Sequence, residues 1–225
     1  MSRRILVLAE STASGLNPAS AEAATLARQL ADGGPVTAAL LGAGSPSAAP
    51  TLAGLGVEKV WVMRSEPLEQ HHALAAAAAA TELVRETSTE LVIVGGTPFG
   101  RELSGALAVL WDAASATGVI DASASGTGVS VRRSVFGGRA SETLQLEGPR
   151  ILLSNRPSSF SPASPTGASA PVELRDVTAA PAPGSSGRRT GVRAAEGAAG
   201  PDLGTAAIVV SGGRGFKSPE NFHLL

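Results

Sequence analysis

The residues best suited to chemistry lie in the stretch from Ala206 to Leu225, AAIVVSGGRGFKSPENFHLL. The apolar run Ala206 to Val210 predicts a strand, Gly212, Gly213 and Gly215 a tight turn, and Ser218-Pro219-Glu220 the start of a helix. Glycines let backbone approach a ligand closely, the first N–H groups of a helix point outward, and the helix dipole favours negative charge. Arg214 and Lys217 place two cations in that turn, so its chemistry would be to hold a phosphate-bearing ligand. A plain strand-to-helix turn with two solvated cations fits the same spacing, and both readings stay open. Gly212 to Ser218 (GGRGFKS) departs from the phosphate loop of nucleotide hydrolases, because Phe216 stands where a glycine should precede the lysine. Gly-x-Gly-x-x-Gly is not matched either.

A second glycine turn, Gly95 to Leu103 (GGTPFGREL), follows an apolar run at the place where open α/β sheets bind ligands. Arg101 would suit a phosphate there, but Arg101 and Glu102 on the solvent face of a capped helix is the favoured reading. His71-His72 opens a predicted helix without the Asp, Glu or Cys spacing of a metal site. No Gly-x-Ser-x-Gly elbow follows a strand, and no paired carboxylates stand out for acid–base work. Arg132-Arg133 and Arg188-Arg189 read as surface pairs. The residues assemble no catalytic constellation of their own.

The elements that must position these turns alternate in type. Ile5 to Ala9, Val36 to Leu41, Lys59 to Met63 and Leu91 to Val94 are short apolar runs, as in parallel strands buried on both faces. Between them lie helical stretches at Pro18 to Ala31, a short one near Thr51 to Leu55, and Gln70 to Thr87. Thr97-Pro98 caps a further helix running to about Trp111. This alternation predicts an α/β fold with a Rossmann-like, mostly parallel sheet flanked by helices. From Gly118 the texture changes to short strands, Val129 to Val135, Ala140 to Leu146 and Arg150 to Ser154, with Gly137-Gly138 as the turn of an added antiparallel hairpin.

Residues 158–204 are rich in Pro, Ala, Ser and Gly with one possible strand, Val172 to Thr178, and read as a linker. The expected organisation is an α/β domain over 1–157, the linker over 158–204, and the first strand and helix start of an incomplete second domain over 205–225. The 225 residues carry 18 basic and 19 acidic side chains, a balance that argues against a nucleic-acid or anionic-membrane surface. The absence of cysteine excludes disulfides and thiolate chemistry. No apolar run approaches the ~20 residues of a membrane span, and the first residues lack a signal-peptide core. A soluble, cytoplasmic protein is expected.

Val209 to Phe222 (VVSGGRGFKSPENF) resembles the start of the flavin-binding domain of electron transfer flavoprotein alpha subunits almost throughout. Thr97 to Leu103 (TPFGREL), Val131 to Gly138 (VRRSVFGG) and Arg156 to Phe160 (RPSSF) are similar to further segments of that family, in the same order. The resemblance implies an N-terminal domain shaped like an adenine-nucleotide-binding fold but itself lacking a nucleotide, followed by a doubly wound domain holding FAD. It implies a heterodimer with a beta subunit that carries electrons from flavin dehydrogenases, as in fatty acid beta-oxidation, to a quinone oxidoreductase. The arginine that contacts FAD in this family corresponds to Arg214, and Gly212, Gly213, Gly215 and Lys217 complete the expected cofactor-binding turn. Arg139 stands where the family's hairpin usually has Asn, and Pro219 where a small residue is more common. Most of the flavin domain would be missing from a chain of this length, so it should not hold FAD alone. That leaves a fragment or half of a split subunit, a scaffold domain, or, from a different class, a nucleotide-binding sensor using Gly95 to Arg101.

Overall fold

The computed structural model describes residues 3–12, 15–42, 45–69, 72–162, 164–167, 169–177, 190, 191, 203, 206 and 208–225. Two compact units are present, Met1–Ser186 and Gly187–Leu225. In chain order the first contains β1 (Ile5–Thr12), β2 (Gly15–Leu16), α1 (Pro18–Ala31), β3 (Val36–Leu41), α2 (Ser45–Ala53), β4 (Lys59–Arg64), α3 (Glu66–Glu69) and α4 (Ala73–Glu86). There follow β5 (Leu91–Gly95), α5 (Pro98–Trp111), β6 (Ala114–Ser125), β7 (Gly128–Val135), β8 (Ala140–Leu146), β9 (Ile151–Asn155) and β10 (Val172–Asp176).

The strand order is β10-β4-β3-β1-β5-β9-β6-β7-β8, with the short β2 paired to β1. Every neighbouring pair from β10 to β6 in that order is parallel, whereas the β6-β7, β7-β8 and short β1-β2 pairs are antiparallel. This is the α/β, Rossmann-like architecture that the alternation of runs predicts. The strands ILVLA, VTAALL, VWVM and LVIVG are buried, apart from the half-buried Thr37, because helices cover both faces. Helices α1 and α2 pack on one face around Val7, Leu26, Leu40 and Ile93, and α4 and α5 on the other around Leu6, Leu8, Val92 and Leu107. Alanines on α4 let it lie close against the sheet. Both α1 and α5 are opened by a capping side chain and a proline, Asn17-Pro18 and Thr97-Pro98, and both end on a left-handed aspartate, Asp32 and Asp112.

Two elements differ from the sequence expectation. Ala114 to Ser125 is a twelve-residue strand, although its Ala, Ser and Gly content carries little β-propensity. It forms because β9 and β7 supply ladder partners on either side. The register shifts around Gly118 (φ 69), and the strand bends there. Beyond the bend it runs back over α1. The Arg3 guanidinium donates to the Thr127 carbonyl, and Val119, Val129 and Val131 join the α1-side core. The segment Val172–Asp176, expected as an isolated strand within a linker, lies parallel to β4 at the sheet edge. Lys59–Glu173 (2.5 Å), the bidentate Arg64–Asp176 pair and Arg175–Glu86 hold it there.

Candidate functional site

The connectivity places a reversal of strand order at β1, which has β3 on one side and β5 on the other. The crevice at the carboxyl ends of β1 and β5 is where open sheets of this kind bind ligands. In this chain its own atoms occupy that position. The capping Thr97 Oγ1 accepts from Gly100 N–H (2.9 Å) and donates to Glu10 Oε2 (2.5 Å), so a carboxylate already stands at the N-terminus of α5. A Cβ on Gly95 would lie 3.0 Å from the Ala19 backbone, one on Gly96 2.2 Å from the Asn155 carbonyl oxygen, and one on Gly100 1.9 Å from the Gly95 carbonyl oxygen. These glycines exist to let backbone pack against backbone. Arg101 is exposed on the first turn of α5, as its favoured reading expects.

A second carboxylate, Glu22, is only 5% exposed. It accepts N–H groups from Ser158 (2.9 Å), Ser159 (3.2 Å) and Phe160 (3.3 Å), and from the Asn155 side chain (3.4 Å). Three successive backbone donors make a nest for an anion, and the chain fills it from within. The nest fixes the segment after β9, in which Ser158 takes φ 64, and leaves Arg156 exposed at the carboxyl end of the sheet. Sequence reasoning missed both Glu10 and Glu22. The available signal was a carboxylate on the apolar face of α1, one turn from Ala19 and Leu26.

Of the other sequence candidates, His71 and Arg188-Arg189 lie outside the described residues. His72 caps α4, its Nδ1 accepting from Ala75 N–H at 3.3 Å. Arg132 pairs with Asp121 (3.4 Å) and Arg133 with Glu142. Among the described residues there is no group of three metal-ligating side chains and no helix long and apolar enough to cross a membrane.

The C-terminal turn belongs to the second unit and has its own geometry. The expected strand is not formed by the described residues of Ala206 to Val210. Ala206, Ile208, Val209 and Val210 have no ladder partner among the described residues, and Ile208 is 84% exposed. A single extended segment cannot satisfy its backbone groups alone. The expected helix start is present as a 3-10 helix, Pro219–Leu224, with Ser218 Oγ accepting from Glu220 N–H at 3.4 Å. Before it, Arg214–Phe216 forms one tight turn.

Phe216 stacks on Phe222 at 5.2 Å between centroids, and the Asn221 side chain donates to the Phe216 carbonyl at 2.6 Å. Gly212 is required by this packing, since a Cβ there would lie 2.6 Å from the Phe216 ring. Lys217 has φ 62 and ψ −42, and Ser218 N–H donates across it to the Phe216 carbonyl at 2.6 Å, closing a strained three-residue turn. Around Gly213 and Gly215 an added Cβ would meet nothing within 4 Å. Arg214 and Lys217 are exposed, and among the described residues neither side chain has a partner. Neighbouring residues of the chain thus account for Gly212, but not for Gly213 or Gly215.

Residues 5–180 match the family model described as the electron transfer flavoprotein domain. Over 228 residues the chain is 28% identical to the electron transfer flavoprotein subunit alpha of Bacillus subtilis (strain 168), an alignment covering 100% of this chain and 68% of that protein. It is 30% identical to the same subunit of Mycobacterium leprae (strain TN) over 226 residues, 98% of this chain and 67% of the relative. It is 29% identical to a probable mitochondrial alpha subunit of Caenorhabditis elegans over 221 residues, 98% of this chain and 64% of the relative. The chain spans about two thirds of the length of these relatives.

Proposed function

The chain belongs to the electron transfer flavoprotein family as an alpha subunit, and from that premise we propose that it is the flavin-side component of a soluble electron carrier. In this reading it pairs with a beta subunit, takes electrons from flavin dehydrogenases, such as those of fatty acid beta-oxidation, and passes them to a quinone oxidoreductase. It performs no substrate chemistry of its own, and a cytoplasmic location is proposed with it. The single observation that carries the reading is the contrast between the turns: Gly213 and Gly215 face open space beside two cations that have no partner among the described residues. A site that must admit a phosphorylated cofactor needs that arrangement.

These residues fit FAD. Its isoalloxazine ring, when bound, supplies the redox chemistry of the carrier. The Arg214 guanidinium would donate to the pyrophosphate or to a flavin carbonyl, with a planar fork that a lysine cannot reproduce. Gly213 and Gly215 would let backbone N–H groups approach the same oxygens, because no Cβ intervenes. Lys217 would add a point charge from the strained turn, and Gly212 sets the turn by seating Phe216. The nucleotide-sensor alternative needs a phosphate at Gly95 to Arg101, where the Glu10 carboxylate already sits on the capping hydroxyl.

The test is purification of the gene product with a beta-type subunit, followed by reconstitution with FAD. A yellow complex absorbing near roughly 450 nm, with flavin affinity falling about tenfold in Arg214→Ala, is expected. A complex that stays colourless would overturn the carrier reading. Unchanged affinity in the variant would remove Arg214 from the site.

A further inference from the structure

The carboxyl end of the sheet in the first unit carries an exposed aromatic side chain and three arginines without a partner among the described residues. At the turn between β7 and β8, Phe136 is 82% exposed and takes φ 52, a left-handed conformation that a bulky aromatic residue rarely adopts. Strained residues persist where the surrounding structure imposes them, and they gather at functional positions. This turn lies at the same end of the sheet as the ligand crevice. Val119 of β6 pairs with Asn155, the last residue of β9, and also with Arg133 of β7, so the hairpin continues outward past the end of β9 to reach Phe136. The opposite turn, at Gly126, lies instead beside Arg3 and Asp32 at the amino end.

Three exposed arginines share that end. Arg139 closes the hairpin turn, Arg156 follows β9 with its N–H on the Val119 carbonyl (2.8 Å), and Arg101 lies on the first turn of α5. Among the described residues none of the three guanidiniums has a partner. The backbone beneath Arg156 is fixed by Glu22 and its four donors, and the start of α5 by Glu10 and Thr97. These charges are therefore held out on rigid supports, which lowers the ordering cost of binding.

We propose that this end of the first unit is a docking surface for the beta subunit, with Phe136 as its central anchor and Arg139, Arg156 and Arg101 as its rim. The proposal rests on the heterodimer reading above. The occupant it fits is a protein face with an apolar pocket bordered by carboxylates, because an aromatic side chain buries roughly 150–250 Å² and unpaired guanidiniums seek acidic partners. A helix face on the same unit supplies the contrast. Val109 on α5 is 81% exposed, nearly as much as Phe136, yet it sits on a relaxed helix at the amino end, far from this rim.

The experiment titrates the full chain against a beta-type subunit by calorimetry at low and moderate salt. Phe136→Ser is expected to weaken association by at least about 30-fold, as for an interface hot spot. Arg156→Glu should weaken it about tenfold with a smaller salt dependence, and Val109→Ser should leave it unchanged. The unfolding midpoints of all three variants should match the parent, because these side chains are exposed. Tight association of Phe136→Ser and Arg156→Glu would overturn the surface assignment while leaving the heterodimer standing. Failure of the unmodified chain to bind any beta-type subunit would overturn the heterodimer reading and this proposal with it. Self-association of the chain alone, abolished by Phe136→Ser, would assign the surface to a second copy instead.

Discussion

Two glycine turns with an arginine look alike in sequence, GGTPFGR at Gly95 and SGGRG at Ser211, but differ in what their glycines meet. In the first, each glycine is pressed against the chain's own backbone, and the anion position at the helix start is taken by Glu10. In the second, Gly212 alone is packed, while Gly213 and Gly215 border open space and the cations have no partner among the described residues. The difference teaches how to read such motifs. A glycine explained by a neighbouring carbonyl is structural, and a glycine that nothing in the chain explains is a candidate for a ligand.

Substitution breaks the comparison most directly. Gly96→Ala and Gly100→Ala would push a methyl group to 2.2 Å and 1.9 Å from carbonyl oxygens, which no side-chain rotation can relieve. Each should destabilise the first unit by about 3 kcal/mol, a fall in Tm of roughly 10 °C. Gly213→Ala and Gly215→Ala should shift Tm by no more than about 1 °C, since the added methyl meets nothing, yet should weaken FAD binding to the heterodimer. Thermal melts and flavin titrations on the four variants decide it. Equal stability losses at both turns would erase the distinction.

Glu22 is the internal anion of the segment after β9. Glu22→Ala deletes the acceptor shared by Ser158, Ser159, Phe160 and Asn155, leaving the buried Asn155 side chain and three part-buried backbone donors without it. The expected loss is about 2 kcal/mol by urea denaturation, accompanied by faster amide exchange at Ser158, Ser159 and Phe160. Unchanged exchange at those amides would show that the segment after β9 is held by something other than this carboxylate.

Much of the scaffold was legible because its signals are local. Apolar runs buried on both faces mark β1, β3, β4 and β5, and Asn17-Pro18 and Thr97-Pro98 mark helix starts. The strand β6 was not legible, because Ala114 to Ser125 carries weak β-propensity and forms through ladders to β9 and β7. The expected strand at Ala206 to Val210 failed for the converse reason: the right residues, but no pairing partner among the described residues. At the sites, the cations Arg101, Arg214 and Lys217 could be read from spacing, whereas the contacts that separate the two glycine turns could not. Gly96 meets Asn155, 59 positions away in the chain, and Glu10 meets Thr97 across 87 positions. Such pairings belong to the topology.

The smallest effect separates packing from charge within the first unit. At the sheet edge, β10 is held by ion pairs, among them Arg175 Nη1 to Glu86 Oε1 at 3.0 Å and Nη2 to Oε2 at 2.5 Å. The hydrogen bonds from Arg175 hold the Glu86 carboxyl below its ordinary value; burial opposes them, and the charges of Arg175 and Lys59 add to the lowering. A carboxyl whose pKa is lowered by folding stabilises the fold above its unfolded pKa and loses that contribution as pH falls through the lowered value. Arg175 stays charged throughout, its own pKa being raised by Glu86. Arg175→Ala should therefore show a constant stability deficit above about pH 5, with an electrostatic part of about 0.5 kcal/mol for so exposed a pair. The gap between parent and variant should narrow as pH falls below the carboxylate range, whereas the Gly100→Ala deficit, which is steric, should not move with pH. Melting curves from neutral to acidic pH on both variants test this together. A gap for Arg175→Ala that stays constant to low pH would mean that the edge strand is held by the ladder to β4 and the apolar stem of Arg175, with the charges contributing nothing.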